Sequence, residues 1–560
     1  MIEATYNPVR NSRLLIVIAG LGGLLYGIDV GIIAAALLYL VKTVNLTAQQ
    51  TSFIVAAVLG GSMASSLVGG VLADYLGRKK MVIASALLFM ASVGLIVLSR
   101  GFVSLMAGRL LQGVSGGVIA VVVPLYLAEC LSAHNRGKGT AFFQFMLTFG
   151  IVIAAMIGWF YTHQAERVIN AAAGNPVLVR VAQDHAWRGM FLTVLYPGIA
   201  FFLGSLMLSE TPRWLYRRGR TAEALTALRR LVPENEAQVE MREMREIALR
   251  ERRIPSSESI DSLRQRKYLV PFVLACVILV CNQTTGINSI LGFLVIILKQ
   301  AGMTAGHATS ADVTVKLLMC TMTIVATVLI DKMGRKFLLT VGTGGVIVAL
   351  AMAGLLFLRT ERQRIDVRDT VQTRVRGDAV SMSMNADEFG PRKDGQVMGL
   401  TVLYSYGEGD KVVNVLSNET DPVLTIVPEK EDKESKRPLT IKRALYCPVP
   451  TQKLGWLIAA CLGLFISFFS VGPGVVVWLT LSELMPTRIR STGMGIALLL
   501  NQGTATLIAA LFLPVVGKYG YSVMFLAWAA CTVLYFITAA FFLPETTNKT
   551  LEEIERAFAR

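Results

Sequence analysis

Arg109 stands inside an apolar, glycine-studded stretch, GRLLQGVSGGVIAVVVPLYLAE (108–129). An ionisable side chain inside a membrane helix costs roughly 2.5–3.5 kcal/mol on insertion scales, so it faces a cavity or a partner and serves function. Asp29 is the only charge in the first long apolar run, which contains GGLLYGIDVGII. The chemistry open to such residues is charge pairing and the handling of protons. A second set of charges sits where apolar runs end. Glu129 and Arg136 are seven residues apart, as are Glu483 and Arg490, while Arg78 and Arg335 lie in the related stretches DYLGRKK (74–80) and DKMGRK (331–336). No metal-ligating cluster, nucleophile–base set or GxxxxGK[ST] loop accompanies them. An enzyme is therefore not expected, and neither a metal nor a cofactor.

The elements that must carry these residues follow from composition. The chain has 560 residues, 54% of them hydrophobic and only 16% charged, where a soluble protein carries about a quarter charged residues. Apolar runs of about 20 residues, each long enough to cross a bilayer core of about 30 Å, recur twelve times: roughly 14–40, 52–73, 81–99, 102–127, 139–161, 189–208, 268–298, 311–330, 337–358, 454–481, 491–516 and 521–543. This reads as an all-α membrane protein. The net charge of +16 reflects the positive-inside rule rather than nucleic-acid binding. Basic residues crowd alternate short loops, at Arg78, Lys79 and Lys80, at Arg136 and Lys138, at Lys332, Arg335 and Lys336, and at Arg488 and Arg490. The intervening loops hold Lys42, Arg100, Lys299 and Lys518. Both termini and the loop 209–267 are thereby expected in the cytosol, with no cleavable signal ahead of the first span. The seven cysteines form neither a disulfide framework nor a metal site, and core packing is their expected role.

Two echoes divide the chain. DYLGRKK and DKMGRK are offset by 257 residues (74 to 331), and the Glu–Arg pairs by 354 (129 to 483). The difference of 97 matches a polar stretch of 95 residues, 359–453. Two six-helix halves are expected, 1–208 and 268–543, the second interrupted outside the cell by the insert. The loop 209–267 joins the halves and 544–560 forms a cytosolic tail. Internal duplication of this kind typifies secondary transporters, with the substrate site near the midplane between halves. Apolar spacing beside Glu/Arg pairs in AEALTALRRLV and EAQVEMREMREIALRERR predicts short amphipathic helices in the linker. In the insert, QVMGLTVLYSYG and KVVNVLSN show partial β-type alternation, which leaves a small β-rich domain and a loosely ordered loop both open. Asn45-Leu-Thr and Asn418-Glu-Thr are glycosylation sequons on outward loops, though chance supplies such triplets.

Nine segments in order resemble the sugar porter family of the major facilitator superfamily: GGVLADYLGRKK (69–80), GRLLQG (108–113), PLYLAE (124–129), NRGK (135–138), SETPRWL (209–215), QTTGIN (283–288), DKMGRK (331–336), GPGVVVWLTLSE (472–483) and PETTNKTLEEI (544–554). The resemblance implies the major facilitator fold and a transporter that imports a monosaccharide or polyol with a proton by alternating access. It pairs Asp29 with Arg109 as the proton-coupling site, both lying in the outer half of the bilayer at 1.5 Å per residue. Burial and a neighbouring guanidinium pull a carboxyl's proton affinity in opposite directions, and a group so balanced can titrate during a cycle. Passive relatives usually carry a neutral residue at the Asp29 position.

The same resemblance implies sugar contacts at Gln144, Gln283, Asn288, Trp478 and Asn501, since an amide offers both donor and acceptor to a hydroxyl and an indole a flat apolar face. It also implies a cytosolic latch between the halves made of Arg78, Glu129, Arg136, Glu210, Arg213, Arg335, Glu483 and Arg490. Several positions depart from the family pattern: Asn282, Gly292, Met319, Gln502, and GPGVVVW with two prolines missing. They leave the sugar open, inositol included, because some inositol carriers share a long loop between helices nine and ten. The expected partners are a sugar or polyol, protons and the lipid of a plasma membrane, with the protein a monomer. A passive uniporter is the alternative. A non-transporting sensor fits less well, because the tails of about 13 and 17 residues are short.

Overall fold

The computed structural model describes residues 8–44, 46–131, 133–172, 175–251, 266–383, 389, 398–407, 411–417, 423–428, 438–448, 451–485 and 490–545. Among them, eleven helical stretches are long and apolar enough to cross a bilayer, and the adjoining helices Ala48–Ser66 and Val68–Leu76 together supply a twelfth span. Asn45 and Asn418 lie outside the described residues.

The first half comprises α1 (Pro8–Val44), α2 (Ala48–Leu76), α3 (Arg78–Val97), α4 (Phe102–Cys130), α5 (Ala133–Ala171), and a sixth span made of α6 (Pro176–Thr193) and α7 (Leu195–Met207). The linker follows as α8 (Pro212–Arg217), α9 (Thr221–Arg229) and α10 (Glu234–Glu251). In the second half, the seventh span is α11 (Arg266–Thr284) with α12 (Ile287–Gln300), followed by α13 (Ala305–Met333) and α14 (Arg335–Glu361). After the insert come α16 (Gln452–Phe469) and α17 (Val475–Leu484), joined by a π-helical turn at Ser470–Gly474 that contains Pro473, then α18 (Arg490–Tyr519) and α19 (Tyr521–Ile537). The linker and the insert emerge from opposite ends of the bundle, which are called here the linker face and the insert face.

Helix packing repeats between halves. In the first, α1 packs on α5, α2 on α4, and α3 on both α4 and α7. The second repeats this with α11 on α18, α13 on α16, and α14 on both α16 and α19. The offset of 257 extends to the insert face, where Thr47 caps α2 by accepting from the Gln50 N–H at 3.1 Å and Thr304 caps α13 by accepting from the His307 N–H at 3.3 Å. At the linker face the same offset joins Gly77 and Gly334, whose φ values of 99° and 86° suit a residue without a Cβ. Both bring backbone against a carboxylate: a Cβ on Gly77 would lie 3.0 Å from the Glu210 carboxyl carbon, and one on Gly334 would lie 2.8 Å from Glu545 Oε2.

The halves meet through α2 with α18, α5 with α13, and α1 with α12. Hydrogen bonds between them run from mid-membrane to the insert face. Leu513 N–H donates to Ser52 Oγ at 3.1 Å, Trp159 Nε1–H to Ser310 Oγ at 3.1 Å, and Lys316 Nζ to the Gly31 carbonyl at 3.2 Å.

Of the two alternatives left open by its sequence, the described residues of the insert follow the first and form sheets. Strands β1 (Ile365–Asp366), β3 (Met398–Ser405), β4 (Lys411–Leu416) and β6 (Thr440–Pro448) make one antiparallel sheet in the order β1-β6-β3-β4, while β2 (Val380–Ser383) pairs with β5 (Val423–Ile426). The short helix α15 (Arg368–Thr373) supplies Val371 to a buried core with Val380, Leu400, Val402, Leu424 and Ile441. A continuous apolar core of this kind is what a loosely ordered loop lacks.

Candidate functional site between the halves

Among the described residues, three polar centres stand out within the membrane-spanning body. The first holds Asp29 on α1 and Arg109 on α4, which are 0% and 1% exposed. Arg109 Nη1 donates to Asp29 Oδ1 at 3.3 Å and to Gln112 Oε1, one turn later on α4, at a shorter 2.7 Å. Its guanidinium also lies over the Phe191 ring, 5.7 Å from the centroid. Gly116 allows this approach, because a Cβ there would stand 3.0 Å from the Tyr26 ring and 3.4 Å from Asp29 Oδ2. Asp29 Oδ2, Arg109 Nε and Gln112 Nε2 are buried and find no hydrogen-bond partner among the described residues. A half-satisfied buried pair is poor at stabilising a fold. It is well suited to changing partners.

The second centre is a chain of amides in the second half. Asn288 Nδ2 donates to Gln283 Oε1 at 2.7 Å, Gln283 Nε2 to Asn501 Oδ1 at 3.2 Å, and Asn501 Nδ2 to the Leu279 carbonyl at 2.9 Å. The break between α11 and α12, where Gly286 adopts φ 80°, lets Gln283 and Asn288 turn toward each other. Gln144 and Trp478 make no hydrogen bond to this chain among the described residues. Gln144 is exposed on α5, four residues before Thr148, whose hydroxyl lies 3.8 Å from Cys320 Sγ on α13. Trp478 on α17 is 42% exposed. Asn282, one of the departures, is buried, and its Oδ1 has no partner among the described residues.

The third centre was not anticipated. Asp312 and Lys316 on α13 form an ion pair at 2.9 Å with side chains 2% and 0% exposed, and Lys316 also reaches Gly31 on α1. Their signal was an Asp and a Lys four residues apart inside an apolar run, the spacing that places two side chains on one helix face.

At the linker face the structure describes the side chains of five of the eight residues expected to form the latch. Arg78, itself buried, binds Glu129 at 2.9 Å and Asp74 at 2.6 Å, while Thr211 Oγ1 donates to the other Glu129 oxygen at 2.5 Å. Glu210 joins through backbone rather than through an arginine side chain, accepting from the N–H groups of Arg78 at 2.9 Å, Lys79 at 3.2 Å and Thr211 at 3.0 Å. A carboxylate over a helix N-terminus meets unpaired N–H groups and the positive end of the dipole. Glu545, which sequence reasoning missed, repeats this at α14 by accepting from Arg335 N–H at 3.1 Å and Lys336 N–H at 3.2 Å. Arg213 makes no hydrogen bond or ion pair among the described residues. The side chains of Arg136, Glu483 and Arg490 lie outside them. The contacts named for Arg78, Glu129, Glu210 and Arg335 lie within one half or its adjoining linker.

A family model described as "Sugar (and other) transporter" matches residues 15–371 and 441–558 and passes over the central part of the insert. The chain is 26% identical to a glucose transporter of Staphylococcus epidermidis over 97% of each chain. It is 28% identical to a proton myo-inositol cotransporter of Caenorhabditis elegans, over 96% of this chain and 88% of that one. In fold it is similar to the inward-open xylose transporter XylE of E. coli, with a TM-score of 0.67 at 19% identity, covering 97% of this chain and 98% of that one.

Proposed function

Because the chain belongs to the sugar (and other) transporter family, the sugar porters of the major facilitator superfamily, we propose that it imports a monosaccharide or polyol together with a proton by alternating access. The Asp29–Arg109 pair carries the reading. Its long 3.3 Å contact competes with the 2.7 Å bond from Arg109 to Gln112, and Asp29 Oδ2 has no partner among the described residues. When Asp29 takes up a proton, its hold on Arg109 weakens, the guanidinium stays on Gln112 and over Phe191, and α1 is released from α4. When the proton leaves, the pair closes again. The amide chain Asn288–Gln283–Asn501 supplies alternating donors and acceptors suited to sugar hydroxyls, and Gln144 and Trp478 would join it as the halves move. The linker face is cytosolic in this reading, as the basic residues around Gly77 and Gly334 favour, and the termini share that side of a plasma membrane.

Proton-linked uptake in reconstituted vesicles tests this. Labelled hexoses, pentoses and inositol are offered with and without an inward proton gradient to wild type and to Asp29→Asn. Wild type should accumulate one substrate class against its gradient. Asp29→Asn should exchange that substrate without accumulating it. Equal, gradient-independent equilibration by both proteins would establish a passive carrier instead.

A further inference from the structure

We propose that Lys316, held in place by Asp312, is a positioning residue for transport. It docks on the Gly31 carbonyl when the insert face is closed, and so ties closure between the halves to the segment of α1 that carries Asp29. This rests on the alternating-access reading above.

The argument begins with burial. An Asp and a Lys one turn apart on a helix can satisfy each other at any exposed position, so this pair does not need the interface. It lies there at 0–2% exposure, where apolar residues of similar volume would stabilise as well or better. What the location provides is the second contact, 3.2 Å from Nζ to the Gly31 carbonyl of the opposite half. That carbonyl belongs to α1 two residues beyond Asp29. On its other side α1 is seated tightly on α5, since a Cβ on Gly31 would stand 2.8 Å from the Ala154 Cβ and 3.1 Å from the Ile151 carbonyl. The 29–31 segment is therefore held by α5 and by Arg109 in its own half, and by Lys316 from the other.

The pair is also not part of the duplicated frame. The offset of 257 places Val55 and Leu59 opposite Asp312 and Lys316. Separation of the halves at the insert face must break the Lys316–Gly31 bond, whereas Asp312–Lys316, within one helix, travels intact. Asp312 Oδ1 is buried and has no partner among the described residues, so the carboxylate can turn with the ammonium. Because the pair remains neutral overall, the switch requires no proton of its own. A hydrogen bond from a charged donor shifts a two-state equilibrium by about tenfold.

The test uses the full chain in vesicles. Asp312→Leu/Lys316→Met removes both charges and keeps an apolar filler, Lys316→Gln keeps a donor without the charge, and Lys316→Arg keeps the charge. Sugar exchange at equal concentrations reports whether each protein is folded and able to carry. A membrane-impermeant maleimide applied at the insert face reports opening there, through Ser310→Cys, with the parent proteins subtracted. In the double variant, labelling should rise and the ratio of proton-driven accumulation to exchange should fall, each by about tenfold. Exchange should persist, and Lys316→Arg should restore both readouts. If the double variant does not fold, Lys316→Gln should move both readouts in the same directions. Wild-type labelling and accumulation with exchange intact would overturn the proposal. Loss of gradient-driven accumulation in wild type itself would instead overturn the symport reading on which it rests.

Discussion

At the scale of residues, Asp29 and Arg109 illustrate why a buried pair can be a working part rather than a support. Each has an unpartnered buried atom, and Arg109 has a better hydrogen bond to Gln112 than to its counter-charge. Replacing Gln112 with Leu should leave Arg109 with Asp29 alone, tighten that pair, and slow proton-driven uptake more than exchange. Equal slowing of both processes would show Gln112 to be structural. The amide chain behaves as one unit. Truncating Gln283 to Ala removes a partner from the half-buried Asn288 and from the buried Asn501 Oδ1, while Asn501 Nδ2 keeps the Leu279 carbonyl. If Gln283 is one of the amides that meet the sugar hydroxyls, substrate affinity should fall by up to about tenfold. Gln283→Ala/Asn501→Ala should be clearly less than additive, as measured by substrate-induced tryptophan quenching.

The element scale is set by the turns at the linker face. Gly77 and Gly334 reverse the chain between spans and let Glu210 and Glu545 reach the N-termini of α3 and α14. Gly77→Ala forces a side chain into φ 99° against a carboxylate and should cost about 1–3 kcal/mol. Glu210→Gln, which keeps an acceptor oxygen, should cost less. The larger loss belongs to Arg78→Ala, which leaves Glu129 buried with its ion-pair partner gone, a change worth about 3–5 kcal/mol in buried pairs. Thermal unfolding in detergent should rank the three as Arg78→Ala, Gly77→Ala, Glu210→Gln. A different order would mean that Glu129 is better solvated than its surroundings suggest. The repeat explains why these turns were legible: the same residues recur 257 positions apart because the same helix junction is built twice. The role of Glu210 was less legible, since a carboxylate near arginines looks like half of an ion pair until the backbone N–H groups are seen facing it.

At the scale of the molecule, the insert is a β-structured body set on a helical transporter. Its two ends return to one place: β1 pairs with β6, and Gln372 Oε1 accepts from the Ile441 N–H at 3.2 Å. The family model passes over 372–440. Replacing residues 373–440 with a short Gly-Ser linker should preserve monodispersity and sugar exchange, because the remaining ends are already adjacent. Loss of transport by a well-folded excised protein would assign the insert a part in the cycle.

Composition and order by themselves determined the number of spans, the duplication, the position of the insert and the basic loops. Each of these depends on how one segment partitions between water and hydrocarbon, or on a junction repeated along the chain, and both are local properties. Tertiary structure alone decided which polar atoms meet. Lys316 lies 285 residues from Gly31, and Gln283 lies 218 from Asn501. Whether such residues touch depends on the rotation and axial offset of packed helices, which no single segment encodes. That is why Asp312 and Lys316 passed as part of an apolar run.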